Sequence, residues 1–447
     1  MSRTLDLVAD LVARAKRAGA DAADALGVEG TALSHARRLG QTEKLERAEG
    51  RDIGLRVFMG RRQAMVSSSD DSAKARAELV ERAVAMARAV PEDPFVGLAA
   101  PEEIARQMPS LDIDDADEPA AEVLLERARA CEEAALAVPG ITNSEGAEAS
   151  WSRSRVALAA SNGFAGEYAT ARHSVGVAVI AGEGLTMQRD YDYTSAIHGA
   201  DLDDATQIGA RAAHRAIRRL GARRMKSARV PVVYDPRVAN SLVRHLAAAA
   251  NGAAVARGTS FLRDSLGQDV MAPGVSIVDD PHRPRGLASK PFDGEGVLAT
   301  RRRVVDAGRL TTWFLDCRSA RQLKMATTGH ASRGTSSPPS PAPTNLYMEK
   351  GTLSPAALMA DIESGLYVTE LIGMGVNMVT GDYSRGAAGF WIEHGALAHP
   401  VQEITIAGNL KDMFRAITPA DDLVFRYGTD APTLRVDGLT VAGGADA

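Results

Sequence analysis

The sequence predicts an α+β protein: an N-terminal α/β part of one or two small lobes, then a large, mostly antiparallel β-rich C-terminal domain with a long helix after its first strand. Three observations carry this. The chain has 447 residues, too long for one ordinary core. Its first half mixes helical periods with alternating segments. From residue 226 onward the pattern changes to one long helix and then many short apolar runs separated by Gly, Asp-Gly and Pro. The boundaries read as 1–115 (N-terminal α+β lobe), 116–225 (second α+β lobe) and 226–447 (β-rich domain).

In chain order, Leu5, Val8, Leu11, Val12 and Ala15 give an amphipathic helix that Gly19 ends. Residues 52–68 alternate on either side of Gly60 and read as a hairpin, and residues 71–89 as a helix stopped before Pro91 and Pro94. The stretch 99–119, rich in Pro, Asp and Glu, reads as a surface linker. A helix follows at 120–137, then strands at 153–161, 164–181 and 184–197 with Asn162-Gly163 as a turn, then a helix at 201–220.

The second half opens with VPVVYDP: Val230, Val232 and Val233 suit a buried strand, Asp235 can cap a helix, and Pro236 can occupy its first position. Val238, Leu242, Leu246, Ala249 and Ala253 continue at helical spacing, so one helix is expected over 236–256, with Gly258 as its stop and a thin Ala247–Ala250 face packed on sheet. SRGTSSPPSPAPTN (332–345) reads as an exposed loop that forms neither helix nor ladder. Ser354 and Pro355 open a further helix.

Composition excludes several functional classes. With 52 basic and 57 acidic residues the net charge is −5, which offers no electrostatic footprint for nucleic acid or an anionic membrane surface. Cys131 and Cys317 are the two cysteines and form no CxxC, so neither a disulfide framework nor a cysteine zinc site is expected. The N-terminal apolar stripe is broken by Asp6, Asp10, Arg14 and Lys16, as no signal peptide or membrane span would be, and the expected compartment is the cytoplasm.

The catalytic inventory is nearly empty. None of the nine histidines is followed by Glu, and GxSxG and GxxxxGK[ST] are both absent. Asp279, Asp280, Asp293 and Glu295 could gather as an oxygen site for a hard cation, against the plainer reading of turn-forming acids between strands.

Several separated motifs carry a resemblance: MQRDYDYTSA (187–196), GTSFL (258–262), VSIVDDP (275–281), FDGEGV (292–297), GLYVTELIGMGVN (365–377), VTGDYSRGAAGFWIE (379–393) and EITIAGNLKDMF (403–414). In order and content they resemble the TldD/PmbA family (modulators of DNA gyrase), and ITIAGNL and VTGDYSRGA resemble its PmbA/TldE branch. The resemblance implies a cytoplasmic zinc metallopeptidase built from one TldD-type and one TldE-type subunit that cuts extended, unfolded peptides. It places the zinc in the TldD-type partner, on an HExxxH helix after the first strand of the C-terminal part, with a cysteine ligand near the C-terminus.

Here that helix position lacks the motif. Aligned by Gly252, Leu246, Ala247 and Asn251 stand at the His, Glu and His positions; other registers give Val243, Arg244 and Ala248, or His245, Leu246 and Ala250. No cysteine follows Cys317. Tetrahedral zinc needs imidazole, carboxylate or thiolate donors, and the water-activating Glu is missing too. The chain therefore reads as a metal-free, non-catalytic subunit with no cofactor of its own. Its partners would be a TldD-type catalytic subunit and an extended peptide, with a homodimer possible when it is alone. Thr380, Asp382, Arg385 and Asn409 are the candidate peptide or partner contacts. Two alternatives stay open: an autonomous metallopeptidase using other ligands, and a regulatory binding protein without proteolysis.

Overall fold

Ser2 opens the first helix by accepting from the Leu5 N–H (3.2 Å), and Leu5, Val8, Leu11, Val12 and Ala15 form its buried stripe. This helix is α1 (Arg3–Arg17) of the computed structural model, which describes residues 2–444. There follow β1 (Ala22–Arg38), β2 (Gln41–Met59), β3 (Arg62–Ser68), α2 (Ala73–Ala89), α3 (Ala121–Leu136), β4 (Ile141–Ala160), β5 (Ala165–Ala181), β6 (Gln188–Ala196) and α4 (Ala205–Arg218). The six strands form one antiparallel sheet in the order β3-β2-β1-β4-β5-β6. Strands from both sides of residue 115 thus share one ladder, with β1 bonded to β4 along most of its length.

Alternation gives this sheet two distinct faces. Ala23, Ala25, Ala157 and Ala159 turn toward α1 and α2, and Leu33, Ala149, Trp151 and Val177 toward α3 and α4. Residues of opposite parity, Leu26, Leu158 and Ala160, pack instead with Phe164 and with Phe292 of the C-terminal half. The second half is seated on the face the helices leave free.

That half comprises β7 (Ala228–Tyr234), α5 (Pro236–Ala249), α6 (Gly252–Ala256), β8 (Ile277–Asp279), β9 (Arg302–Asp306), β10 (Arg309–Leu310), α7 (Cys317–Leu323), β11 (Ala331–Ser332), β12 (Ser340–Pro341), β13 (Leu346–Met348), α8 (Pro355–Met359), β14 (Ser364–Ile372), β15 (Asp382–Glu393), β16 (Ala396–Asn409), α9 (Leu410–Arg415), β17 (Ile417–Pro419), β18 (Thr429–Asp430) and β19 (Leu434–Ala442). One sheet runs β16-β15-β14-β7-β19-β17, and a β16–β19 pairing closes it into a small barrel. Among the described residues the parallel strand pairings of this half are β7 with β14 and β13 with β18. Helix α5 packs against β7 and β14 of the barrel and against β13 and β18 of a second, five-stranded sheet, all within one core.

Three expectations are corrected. The helix expected over 236–256 is broken: α5 ends at Ala249, and Asn251 starts α6 as a new cap. In the supposedly ladder-free loop, Ala331–Ser332 pairs with Ser340–Pro341. The pairing suits the ends of a Pro-rich loop, because Pro341 needs no N–H to accept a bond. Within the alanine face, Ala247, Ala249 and Ala250 are buried but Ala248 is exposed, as helical geometry places every third or fourth residue together.

Ala249 is fully buried, and its carbonyl accepts from the Ser260 hydroxyl (2.5 Å). Ala249→Leu is expected to overpack this contact and cost about 1–3 kcal/mol. Thermal denaturation checks it; an unchanged midpoint would mean the face has room to spare.

Candidate functional site

Strand β7 delivers the chain to the start of α5 through a polar junction. Asp235 accepts from the Arg237 N–H (3.0 Å) and from the Tyr367 hydroxyl (3.0 Å). Arg237 then reaches Asp190 on β6 (2.8 Å), tying the helix to the N-terminal sheet. The helix is therefore rigidly placed, and its residues are held in defined surroundings.

At the motif position those surroundings are apolar. Leu246 is fully buried and Ala247 nearly so, both within the core between barrel and second sheet. Asn251 is committed to structure: its side-chain oxygen accepts from the N–H groups of Ala253 (3.0 Å) and Ala254 (3.2 Å), and its amide donates to the Pro341 carbonyl (2.7 Å). Its role is a helix cap that also holds the end of the Pro-rich loop.

The other registers fare no better. Val243 is buried, and Arg244 and Ala248 are exposed. His245, the one imidazole of the helix, lies edge-on to Tyr383 with ring centroids 6.1 Å apart, and its Nε2 has no partner. Burial first, then the Arg385 and Arg244 charges, lower its pKa to about 4, so it is neutral at pH 7. A neutral imidazole can ligate metal, but a lone one makes no site. Among the described residues, no three His, Cys, Asp or Glu side chains converge to hold a metal ion. The donors a zinc peptidase requires do not fit this helix.

The acids proposed as a cation site serve the chain instead. Asp279 is fully buried and accepts from the Thr344 N–H (2.7 Å) and hydroxyl (2.6 Å) and hydrogen-bonds to His330 Nε2 (3.0 Å). Asp280 accepts from the His282 N–H (3.2 Å). Asp293 accepts from the N–H groups of Glu295 (2.8 Å), Val297 (2.9 Å) and Ala331 (2.9 Å). Glu295 accepts from the Cys317 N–H (2.8 Å) and faces Arg56 (3.5 Å). Each carboxylate accepts hydrogen bonds from the chain itself, and burial pushes Asp293 and Glu295 up from the usual carboxylate range. Cys131 and Cys317 are buried, free thiols on separate helices, both pushed up by burial, Cys131 to about 12.

Of the candidate contacts, three come together. Asp382 accepts from the Thr380 hydroxyl (2.6 Å) and the Asn409 amide (3.1 Å), and Asn409 also caps α9 through the Lys411 N–H (3.1 Å). Arg385, further along β15, donates to the Ile372 carbonyl (3.3 Å) and faces His245. This exposed turn also carries Ile372, Met374 and Val379, which are 57%, 92% and 55% exposed. Exposed apolar side chains thus stand directly beside this polar network.

The sequence reading passed over one buried cluster. Asp24 on β1 accepts from Arg56 of β2 (3.0 Å) and from Arg333 of the loop after β11 (2.7 Å), with all three side chains inaccessible or nearly so. The available signal was Arg56 itself, a charge inside the apolar run Ile53–Met59.

Comparison with known proteins fits this architecture. Residues 23–87 match the model of PmbA/TldA metallopeptidase domain 1, residues 114–220 the central domain, and residues 227–443 the C-terminal domain. The chain is 37% identical to Metalloprotease PmbA of Escherichia coli over 425 residues, covering 95% of this chain and 92% of that one. It is 35% identical to the Metalloprotease PmbA homolog of Haemophilus influenzae, covering 96% and 94%. Among solved structures, a candidate modulator of DNA gyrase from Bacteroides thetaiotaomicron superposes with a TM-score of 0.91 at 26% identity, covering 99% of this chain and 100% of that one. TldE from Thermococcus kodakarensis, at 18% identity and a TM-score of 0.88 with 98% and 100% coverage, shares the fold. With all three domain models matched in order and relatives above 30% identity over nearly the whole length, this chain belongs to the PmbA/TldD metallopeptidase family.

Proposed function

We propose that this chain is the non-catalytic, PmbA/TldE-type subunit of a two-subunit zinc metallopeptidase that degrades unfolded peptides, with the zinc held by a TldD-type partner. One observation carries the reading: the helix after the first C-terminal strand presents Leu246, Ala247 and a capping Asn251 where metal ligands and a general base would stand. The exposed turn of Ile372, Met374 and Val379, next to Thr380, Asp382 and Asn409, is the surface we assign to the partner or the peptide. Extended peptides suit a β-rich subunit because backbone pairing reads little sequence.

The relatives' names call them metalloproteases, which favours a second reading in which this chain is active alone. Metal analysis separates the two. The purified chain is expected to hold no stoichiometric zinc after dialysis against a zinc-containing buffer. About one tightly bound zinc per chain, removable by a chelator, would support the autonomous enzyme instead.

A further inference from the structure

We infer that the uncovered half of β2, Gln41–Gly50, is a docking edge for a second copy of this chain, paired antiparallel about a two-fold axis at Leu45. The inference is independent of the peptidase reading. Every residue from Gln41 to Gly50 is exposed, and Leu45 is 60% exposed among charged neighbours. One side of this stretch pairs with β1, whereas on the other side β3 covers β2 only from Ile53 to Met59. Among the described residues, no strand and no backbone hydrogen bond reaches the open edge between Gln41 and Asp52.

The ladder fixes which residues face outward. β2 and β3 meet at Met59–Arg62 across a two-residue turn, so that pair exchanges both backbone bonds, as do Val57, Leu55 and Ile53 with their partners. The intervening residues turn toward β1: the Asp21 N–H donates to the Phe58 carbonyl (2.9 Å). Pairing with β1 runs without a shift from Phe58 to Lys44, so Leu45, Arg47 and Glu49 present N–H and C=O groups to the open edge. Such an unpaired row is a template for another strand.

Two copies that share this edge through a two-fold axis run antiparallel. Because only alternate residues face outward, the axis passes through a residue, and charge selects which one. An axis at Glu43, Lys44, Glu46, Arg47 or Glu49 sets that residue against its own like charge. An axis at Ala48 carries the ladder into Ile53, where β3 already sits. At Leu45 the two leucines meet on the axis, and Lys44 of each copy stands opposite Glu46 of the other. Lys44 and Glu46 already pair within one chain, so the four charges alternate around the axis. Edge charges ordinarily deter strand addition; here they penalise the neighbouring registers and favour this one.

One strand pair buries less surface than a standard interface, so the dimer should be reversible. Sedimentation of the full chain tests this: it should be mostly monomer at about 1 μM and substantially dimer at about 200 μM. Lys44→Glu, which sets two glutamates against each other on both sides of the axis, should weaken the dimer by about tenfold or more. Lys44→Glu combined with Glu46→Lys should restore it to within about threefold. Both side chains are exposed, so neither change threatens the fold. Cross-linking reads the register. The native thiols Cys131 and Cys317 are buried, so a new surface thiol reports alone. Under mild oxidation Leu45→Cys should give a disulfide-linked dimer. Ala48→Cys should not, because its two copies would stand about 20 Å apart along the ladder. A chain that stays monomeric at about 200 μM would overturn the inference and leave the edge to a different strand. A dimer indifferent to Lys44→Glu, or one that cross-links equally through Ala48→Cys, would overturn it as well.

Discussion

Asp24→Ala is expected to destabilise the protein by about 3–5 kcal/mol, the range for removing one partner of a buried charge cluster. The carboxylate is the shared acceptor of Arg56 and Arg333, whose side chains are 4% and 0% exposed. Its loss leaves two guanidinium groups without their closest counter-charge, although Glu295, 3.5 Å from Arg56, remains nearby. The cluster also joins the N-terminal sheet to the loop after β11, so the damage should reach the junction between the halves. Urea denaturation measures it. A loss below about 1 kcal/mol would mean that the arginines find other partners.

The same group predicts acid sensitivity. Burial alone would raise the Asp24 pKa, but the Arg333 and Arg56 charges hold it below its ordinary value of 3.8. For a depressed carboxylate, the unfolded chain binds its proton first as pH falls. The stabilisation is present above the unfolded value and is lost as pH drops through the folded one. His245 acts in the same direction at milder acidity. With its pKa lowered from 6.5 to about 4 by burial and then by Arg385 and Arg244, the unfolded chain takes up a proton across that window while the folded chain does not. Stability should therefore fall from pH 6.5 downward through His245 and go on falling below about 4, where Asp24 takes over as the source of the decline. In Asp24→Ala the deeper part of this decline should flatten, which denaturation at stepped pH would reveal.

The second large effect is expected from rebuilding the metal motif. Leu246→His, Ala247→Glu and Asn251→His together should cost several kcal/mol and yield no zinc-dependent cleavage. The first two changes bring polar groups into a core site where Leu246 and Ala247 are 0% and 6% exposed, at about 1–3 kcal/mol for each group left unpaired. The third removes the cap of α6 and the bond to Pro341, about 1 kcal/mol more. Neither cysteine follows this helix closely: Cys317 heads α7, where its N–H is bound to Glu295. The new histidines would thus lack a third ligand and the outer shell that orients imidazoles. A stable triple variant with one zinc and chelator-sensitive cleavage would show that the missing donors lie within reach.

Sequence alone carried the second half of the fold further than the first. Asp235, Pro236 and the Val238–Leu242–Leu246 spacing specify the strand-to-helix junction directly, because capping and periodicity are local. Residues 22–51 are different. The first half of β2, QTEKLERAEG, is wholly exposed and composed largely of helix formers, and it is extended because it pairs with β1. Tertiary pairing overrides propensity there. The continuity of the six-stranded sheet across residue 115 is likewise a long-range pairing that no local signal encodes. At the candidate site, the missing ligands could be read from residue identity, and so could the helix that bears them. The break at Ala250, which turns Asn251 into a cap, could not, since a Gly after Asn is compatible with either state. The acids at 279–295 show the limit of composition: their number suggested a cation site, whereas their hydrogen bonds go to N–H groups of the chain.

The central claim is that this chain contributes structure and contacts, but no catalytic zinc, to a peptidase. Reconstitution tests it most directly. Cleavage of an unfolded peptide is followed with this chain alone, with a TldD-type subunit bearing an intact HExxxH motif, and with both. The account predicts no cleavage by this chain, and a rate for the mixture well above that of the TldD-type subunit alone. Robust cleavage by this chain alone, abolished by a chelator, would contradict it.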